Sequence, residues 1–364
     1  MIIVGCGIIG ASFAYHANLR GIKDISLFSE TLPGDKKQAT SNTWGWVNGY
    51  TSDDKSYADF RLSNLEYWPK LIDNIESSSC TSKGAFVWDL NKLELQQTLI
   101  QHQKWGHSIQ EMHQIELDKH LPILNTKPEI AIFGENDLAI EGPKITHDLI
   151  TASGSQIKKA KVSKIICEGN RVIGIESDQG ITYSDQVVLT SGLGIPDLLS
   201  SIGISFQLNS TLGLLAYTKP LPKLLKHPMT GLDYHVRQDD SGRLVIGGKF
   251  DDDASQEINL ENAAKKLVQD MSLRLNYNED MVLDYYTLGK RPLPIDGRPK
   301  IGSLKNHLGM KIEGLYIAVM HSGITNAPLA GKLGIEEIIT GKRHSLINDF
   351  FPQSLAKNDS DPYV

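Results

Sequence analysis

The chain is 364 residues long, 40% hydrophobic and 22% charged, with a formal net charge of −6. That is the composition of a soluble globular protein of about two domains; it supplies no basic stripe for nucleic acid, and no apolar run reaches the ~20 residues that cross a bilayer. The scattered Cys6, Cys80 and Cys167 form no CxxC pair, which argues against a disulfide framework and for a reducing cytoplasm. The apolar start lacks a positive leader and is broken by glycines, so no signal peptide is expected. Peripheral contact with a membrane stays open.

In chain order, Ile2-Ile3-Val4 reads as a short buried strand. Gly5-Cys6-Gly7-Ile8-Ile9-Gly10 follows as GxGxxG, and Ala11 to Leu19 is helix-compatible. A strand, a tight turn and a helix in that order aim backbone N–H groups at a pyrophosphate. A second strand, Asp24 to Phe28, leads to Glu30, where a carboxylate hydrogen-bonds the adenosine ribose. These features predict an adenine dinucleotide site.

"GDKKQATSNTWGWVNG" comes next, with Ala39, Thr40, Thr43, Gly45, Trp46 and Asn48. Its small and hydroxyl residues suit a ribityl chain and pyrophosphate; the alternative is a polar loop holding two tryptophans. Gly84 to Leu90 and "IAIFGENDLAIEG" are strand-like. His102, His107, His113 and His120 are spaced too irregularly to share a helix face, so a solvated helix or loop is expected there rather than a metal site. Val162 to Leu199 reads as alternating strands with turns at Gly169-Asn170 and Gly180. "LGLLAYTK", "LDYHVRQDDSGRLVIGGKF" and "MVLDYYTLG" are further strands, with a hairpin at Asp240-Ser241-Gly242 and a helix in "EINLENAAKKLVQDMSLRL". Near the end, Gly314 to Gly341 reads as strand, glycine turn and helix. It offers a second helix N-terminus around Gly323 to Asn326.

Five segments, in order, resemble the D-amino-acid-oxidase-like family of FAD-dependent oxidoreductases, the group of glycine oxidase, sarcosine oxidase and D-amino acid dehydrogenase. They are "GCGIIGAS" with Glu30, "ATSNTWGWVN", the hairpin and "QVVLTSG" of the middle, "KRPLPIDGRPKIG", and "HSGITNAPLAGKL". The chain starts inside its first strand, where that family usually carries several more residues. It departs from the family at Met320, commonly a glycine, and at "TSGLGIP".

The resemblance implies an α/β fold. A discontinuous, Rossmann-like FAD-binding domain (1–83, 141–204 and 287–364) is interleaved with a substrate domain on a largely antiparallel sheet (84–140 and 205–286). It implies FAD held by Gly5, Gly7, Ile8, Ile9, Gly10 and Glu30, by the Ala39 to Asn48 segment, by Val162, Ser191 and Gly192, and by Ser322, Gly323, Ile324 and Thr325. Arg291 matches the arginine that binds a substrate carboxylate, also beside the cofactor; a guanidinium takes both carboxylate oxygens at once. Lys249, by resemblance facing the flavin, and His321, before the glycine turn, are the other catalytic candidates. Trp46, Tyr234, Tyr285 and Tyr286 are candidate pocket walls; aromatics on strands are otherwise core.

The expected reaction is oxidation of a small amine or amino acid, with hydride transfer to flavin N5 and hydrolysis of the imine. Oxygen or a quinone takes the electrons. Oxidation of a hydroxy acid or polyol, and flavin binding without turnover, stand as alternatives.

Overall fold

A computed structural model describes residues 1–248, 259–306 and 308–352. The chain opens with β1 (Ile2–Val4), α1 (Ile8–Leu19) and β2 (Ser26–Ser29), then β3 (Trp46–Val47) and α2 (Lys55–Asn74). It continues through β4 (Cys80–Val87), α3 (Lys92–Lys104), β5 (Ile109–Met112), α4 (Gln114–His120), β6 (Ala131–Ile140) and α5 (Gly142–Ser153). The middle holds β7 (Gln156–Lys159), β8 (Val162–Glu168), β9 (Arg171–Ser177), β10 (Gly180–Tyr183), β11 (Val187–Leu189) and α6 (Ile195–Ser200). Then come β12 (Leu208–Thr218), β13 (Met229–Thr230), β14 (Tyr234–Gln238), β15 (Leu244–Gly248) and α7 (Leu260–Arg274). The last are β16 (Leu283–Pro294), β17 (Lys300–Lys305), β18 (Lys311–Val319) and α8 (Gly323–Thr340).

These elements form two compact units: Met1–Ser41, Pro143–Thr211 and Arg291–Val364, and then Asn42–Gly142 and Leu212–Lys290. The segment 42–83, expected with the first domain, belongs to the second unit because β3 pairs with β6 and β4 pairs with β6.

In the first unit the sheet runs β10-β9-β18-β11-β1-β2-β7, with β17 on β18 and β8 on β9. Its spine is parallel, from β7 through β2, β1, β11 and β18 to β9. Parallel strands are covered on both faces, which is why Ile2, Ile3 and Val4 are all buried. One face packs Ile2, Val4, Val187, Leu189, Ile317 and Val319 into a single core. Small residues bring α1 and α8 close: Ser12 Oγ donates to Ala327 O at 2.7 Å, and a β-carbon on Gly331 would stand 2.3 Å from that hydroxyl.

In the second unit the order is β16-β12-β15-β14-β13-β4-β6-β3, with β5 on β6. It is largely antiparallel, as expected; β13 with β4 is a parallel pair. Period-two alternation sorts its residues. Val236, Leu244 and Ile246 pack with Leu95 and Leu99 of α3, Leu117 of α4, and Val268 and Met271 of α7. Leu215, Tyr217 and Val245 form a small cluster with Trp44 on the opposite face. The hairpin joining β14 to β15 is built on Asp239, whose Oδ1 accepts from the backbone N–H of Ser241 and of Arg243, each at 2.9 Å. Among the described residues, no helix is long and apolar enough to cross a membrane.

Candidate active site

In the first unit, the three glycines of the opening turn are needed for different reasons. Gly5 has φ +107°, and a β-carbon there would lie 2.7 Å from the Thr190 carbonyl; one on Gly10 would lie 2.0 Å from Gly5 O. Both are demanded by the fold itself. Gly7 has an ordinary φ of −71°, and a β-carbon there would meet only Thr40 Oγ1, at 3.1 Å. Among the described residues only the Thr40 hydroxyl crowds that position, so packing demands a glycine far less at Gly7 than at Gly5 or Gly10, and space is left above it.

The N–H groups of Ile8, Ile9 and Gly10 open α1 and lack carbonyl partners within the helix. The Ile8 N–H donates to Thr40 Oγ1 at 3.2 Å. Beside them is the N-terminus of α8. A β-carbon on Gly323 would come 3.6 Å from Ile9 Cδ1 and 3.8 Å from Ile8 Cγ2. Two helix N-termini side by side concentrate positive potential where a pyrophosphate belongs. Ser191 Oγ is buried without a hydrogen-bond partner among the described residues, and the Ser191 N lies 2.8 Å from where a Gly5 β-carbon would be. The site thus offers donors, room and an unsatisfied hydroxyl. These features fit a bound dinucleotide such as FAD.

The remaining expected residues of this unit fall around the same sheet end or at its rim. Glu30 is exposed just past β2, and Ala39 and Thr40 open a short 3-10 turn, Ala39–Asn42. Val162 is half-buried at the start of β8. Gly192 faces Pro292, 3.7 Å from its would-be β-carbon, and the half-buried Arg291 is the residue before that proline. His321 Nδ1 lies 3.2 Å from Ser322 Oγ. Ser322 caps α8 in the left-handed region, φ 53° and ψ 36°. Ile324 and Thr325 are buried in the first turn of α8, and Met320 is buried before it.

The segment expected to lie against the cofactor continues in the second unit, from Asn42. Thr43 Oγ1 accepts from the Gly45 N–H at 3.1 Å, and a β-carbon on Gly45 would stand 2.1 Å from Ile140 O. Trp46 Nε1 donates to Asp137 Oδ2 at 2.9 Å. Arg61, wholly buried on α2, donates from Nε to Asn48 O at 3.1 Å and from Nη2 to Asn48 Oδ1 at 2.9 Å. Its Nη1 donates to Tyr57 OH at 3.2 Å. Arg237 of β14 donates from Nε to Trp44 O at 2.5 Å and pairs through Nη1 with Glu141.

Burial pushes the Asp137 carboxyl up to about 8, against the lowering pull of the Trp46 hydrogen bond and of Arg61. Burial, helped by His102 and Arg61, pushes His107 down to about 4. Burial also lowers His102.

One expectation needs correction here. His102 and His107 are not solvated: they are 3% and 5% exposed, because His102 continues the Leu95–Leu99 stripe of α3 and His107 tucks under Gly49. Among the described residues no cluster suited to a metal ion occurs. The four candidate wall aromatics do not share one sheet face. Trp46, Tyr234 and Tyr286 pack against the helix-covered core, whereas Tyr285 stacks on Tyr217 at 4.4 Å on the other face. Lys249 lies outside the described residues.

Sequence reasoning missed Arg61, Asp137, Arg237 and Trp44. A signal existed for Arg61: it stands in the apolar stripe Tyr57, Leu65, Trp68 of α2, where a charged residue needs an internal partner.

A parallel sheet ending in GxGxxG, with paired helix N-termini, defines a dinucleotide-binding α/β protein. The chain belongs to the DAO family, described as FAD dependent oxidoreductase, whose model matches residues 1–336; it is an FAD-dependent oxidoreductase. It is 24% identical over 372 residues to the uncharacterized oxidoreductase YurR of Bacillus subtilis (strain 168), covering 95% of this chain and 96% of that one. It is 23% identical over 361 residues to glycine oxidase of Bacillus licheniformis, covering 93% and 92%. The crystal structure of glycine oxidase from Geobacillus kaustophilus matches its fold with a TM-score of 0.78 at 20% identity, over 96% of this chain and 97% of that chain.

Proposed function

We propose that this protein oxidises a small, carboxylate-bearing amine or amino acid, with FAD and the carboxylate anchor Arg291 both in the first unit. The observation that carries the reading is the cradle at Gly7, which the fold leaves open between the N-termini of α1 and α8. The family and the glycine oxidase relative support an amine as the substrate. Bound FAD supplies the two-electron acceptor for the hydride of the substrate carbon. The chain's own part is placement. Arg291 holds the carboxylate by two parallel hydrogen bonds, so the reacting carbon is presented in one orientation. His321 and Ser322 stand at the N-terminus of α8, where an anionic or polar atom is stabilised. The nitrogen lone pair closes a C=N bond as the hydride leaves, and water then hydrolyses the imine to a carbonyl compound and an amine.

The test is anaerobic mixing of the yellow holoprotein with glycine, sarcosine, D-alanine, L-proline and glycolate, followed by the visible flavin band. Bleaching by one or more of the amines is expected. Bleaching by glycolate alone would replace this reading with hydroxy-acid oxidation, and bleaching by none would point to a flavin-binding role. Readmitting oxygen, or adding a quinone, then identifies the electron acceptor by which of them restores the colour.

A further inference from the structure

The second unit holds the segment Trp44 to Asn48 in an unusual manner. Every second residue is tied to a buried ionisable side chain from a different element. Arg237 of β14, 3% exposed, holds the carbonyl of Trp44. Asp137 of β6, 2% exposed, holds the indole of Trp46. Arg61 of α2, wholly buried, holds both the carbonyl and the side-chain oxygen of Asn48.

Placing such groups in a core is costly, and the Arg61 guanidinium donates to neutral oxygens, those of Asn48 and Tyr57. Room has also been made for the carboxyl: a β-carbon on Gly134 would lie 2.9 Å from Asp137 Cγ. Backbone pairing to β6 covers only Trp46 and Val47, with a further bond from the Ile140 N–H to Gly45 O. The polar anchors extend that hold to both flanks and also fix a side-chain angle. An apolar contact would bury the segment equally well but would not fix the direction of a carbonyl or an indole.

We propose that Asp137, with Arg61 and Arg237, is a positioning residue for the cofactor: the three lock the flavin-side segment in its binding shape before FAD arrives. This rests on the reading that the segment 39–48 faces the flavin. Preorganisation of this kind shows as affinity, because a segment already fixed loses less freedom on binding.

The test measures FAD dissociation, visible circular dichroism of the bound flavin and urea midpoint at saturating FAD. Asp137→Leu removes the acceptor, and Trp46→Phe removes the same hydrogen bond from the other end, should the first variant fail to fold. Each should weaken FAD binding by about tenfold or more and change the flavin dichroism. Asp137→Asn, whose amide oxygen still accepts from the indole, should restore both to within about twofold of wild type. A folded Asp137→Leu or Trp46→Phe with wild-type affinity and dichroism overturns the proposal. Thr43→Phe separates the two levels, since it alters the segment without touching an anchor. If it shifts both readouts while the other two do not, only the anchoring role falls. If none of the three does, the flavin-side reading falls with it.

Discussion

Replacing Asp137 by Asn should abolish a pH dependence of stability that the wild-type fold imposes on itself. The carboxyl sits in the core with one hydrogen bond, from Trp46, and the charged group that acts on it is Arg61 of α2. Burial raises it from 3.8 to about 8, so the folded chain keeps a proton that the unfolded chain has released. The sign follows from that difference. The contribution is full below about pH 4, falls by about 1.4 kcal/mol per pH unit, and levels off above about pH 8. Over about 4 units the loss is about 6 kcal/mol. Asparagine has no proton to lose and keeps the acceptor for the indole. The assay is urea unfolding of both holoproteins from pH 5 to 9 at constant ionic strength, plotted as the difference in unfolding free energy. Subtraction removes every other titrating group. The variant should gain on the wild type steadily with pH until about pH 8. A flat difference would mean that Asp137 is ionised in the fold and that the desolvation argument is wrong.

Three further outcomes follow from the geometry. Gly7→Ala should leave the far-ultraviolet dichroism intact while FAD content drops, whereas Gly10→Ala, whose β-carbon would sit 2.0 Å from Gly5 O, should cost about 3 kcal/mol or more of urea stability. His107, lowered from 6.5 to about 4, loses stability as pH falls through that window, about 3 kcal/mol in all; His107→Gln should flatten the acid limb of a urea series extended down to about pH 4. Arg291→Ala should lower kcat/KM for the carboxylate substrate ~30-fold to several thousand-fold with FAD content near normal, and Arg291→Lys should fall between the two, checked against the decarboxylated amine.

The dinucleotide half of the site was legible because its signals are local. Strand, glycine turn, helix and Glu30 lie within the first 30 residues, and of the neighbours that crowd its glycines only Thr190 and Ser191 come from far along the chain. The antiparallel second sheet was legible from period-two runs and the Asp240-Ser241-Gly242 turn. What stayed hidden depends on pairings across long stretches of chain. Trp46 finds Asp137 ninety-one residues away, and Arg237 finds Trp44 at a separation of 193. "IAIFGENDLAIEG" reads as strand-like, and β6 does run through it from Ala131 to Ile140, but the inward place of Asp137 depends on partners that the run itself does not name. The alternation that places Tyr285 and Tyr286 on opposite faces was available in the sequence; the register that stacks Tyr285 on Tyr217 was not.

The strand order of the first unit also sets a timetable for synthesis. β18, residues 311–319, lies between β9 and β11 in the middle of the sheet, although it is made after every other strand. Until it emerges, β11 and β9 each lack a neighbour along an edge, and an unpaired edge invites pairing with other chains. α8, which supplies the second helix N-terminus, follows only after β18. On the ribosome, then, the glycine turn emerges about 300 residues before the second helix N-terminus that completes the nucleotide cradle. Cofactor capture is a late event, and a stall before residue 311 would leave a half-built sheet exposed to aggregation and to the cell's proteases.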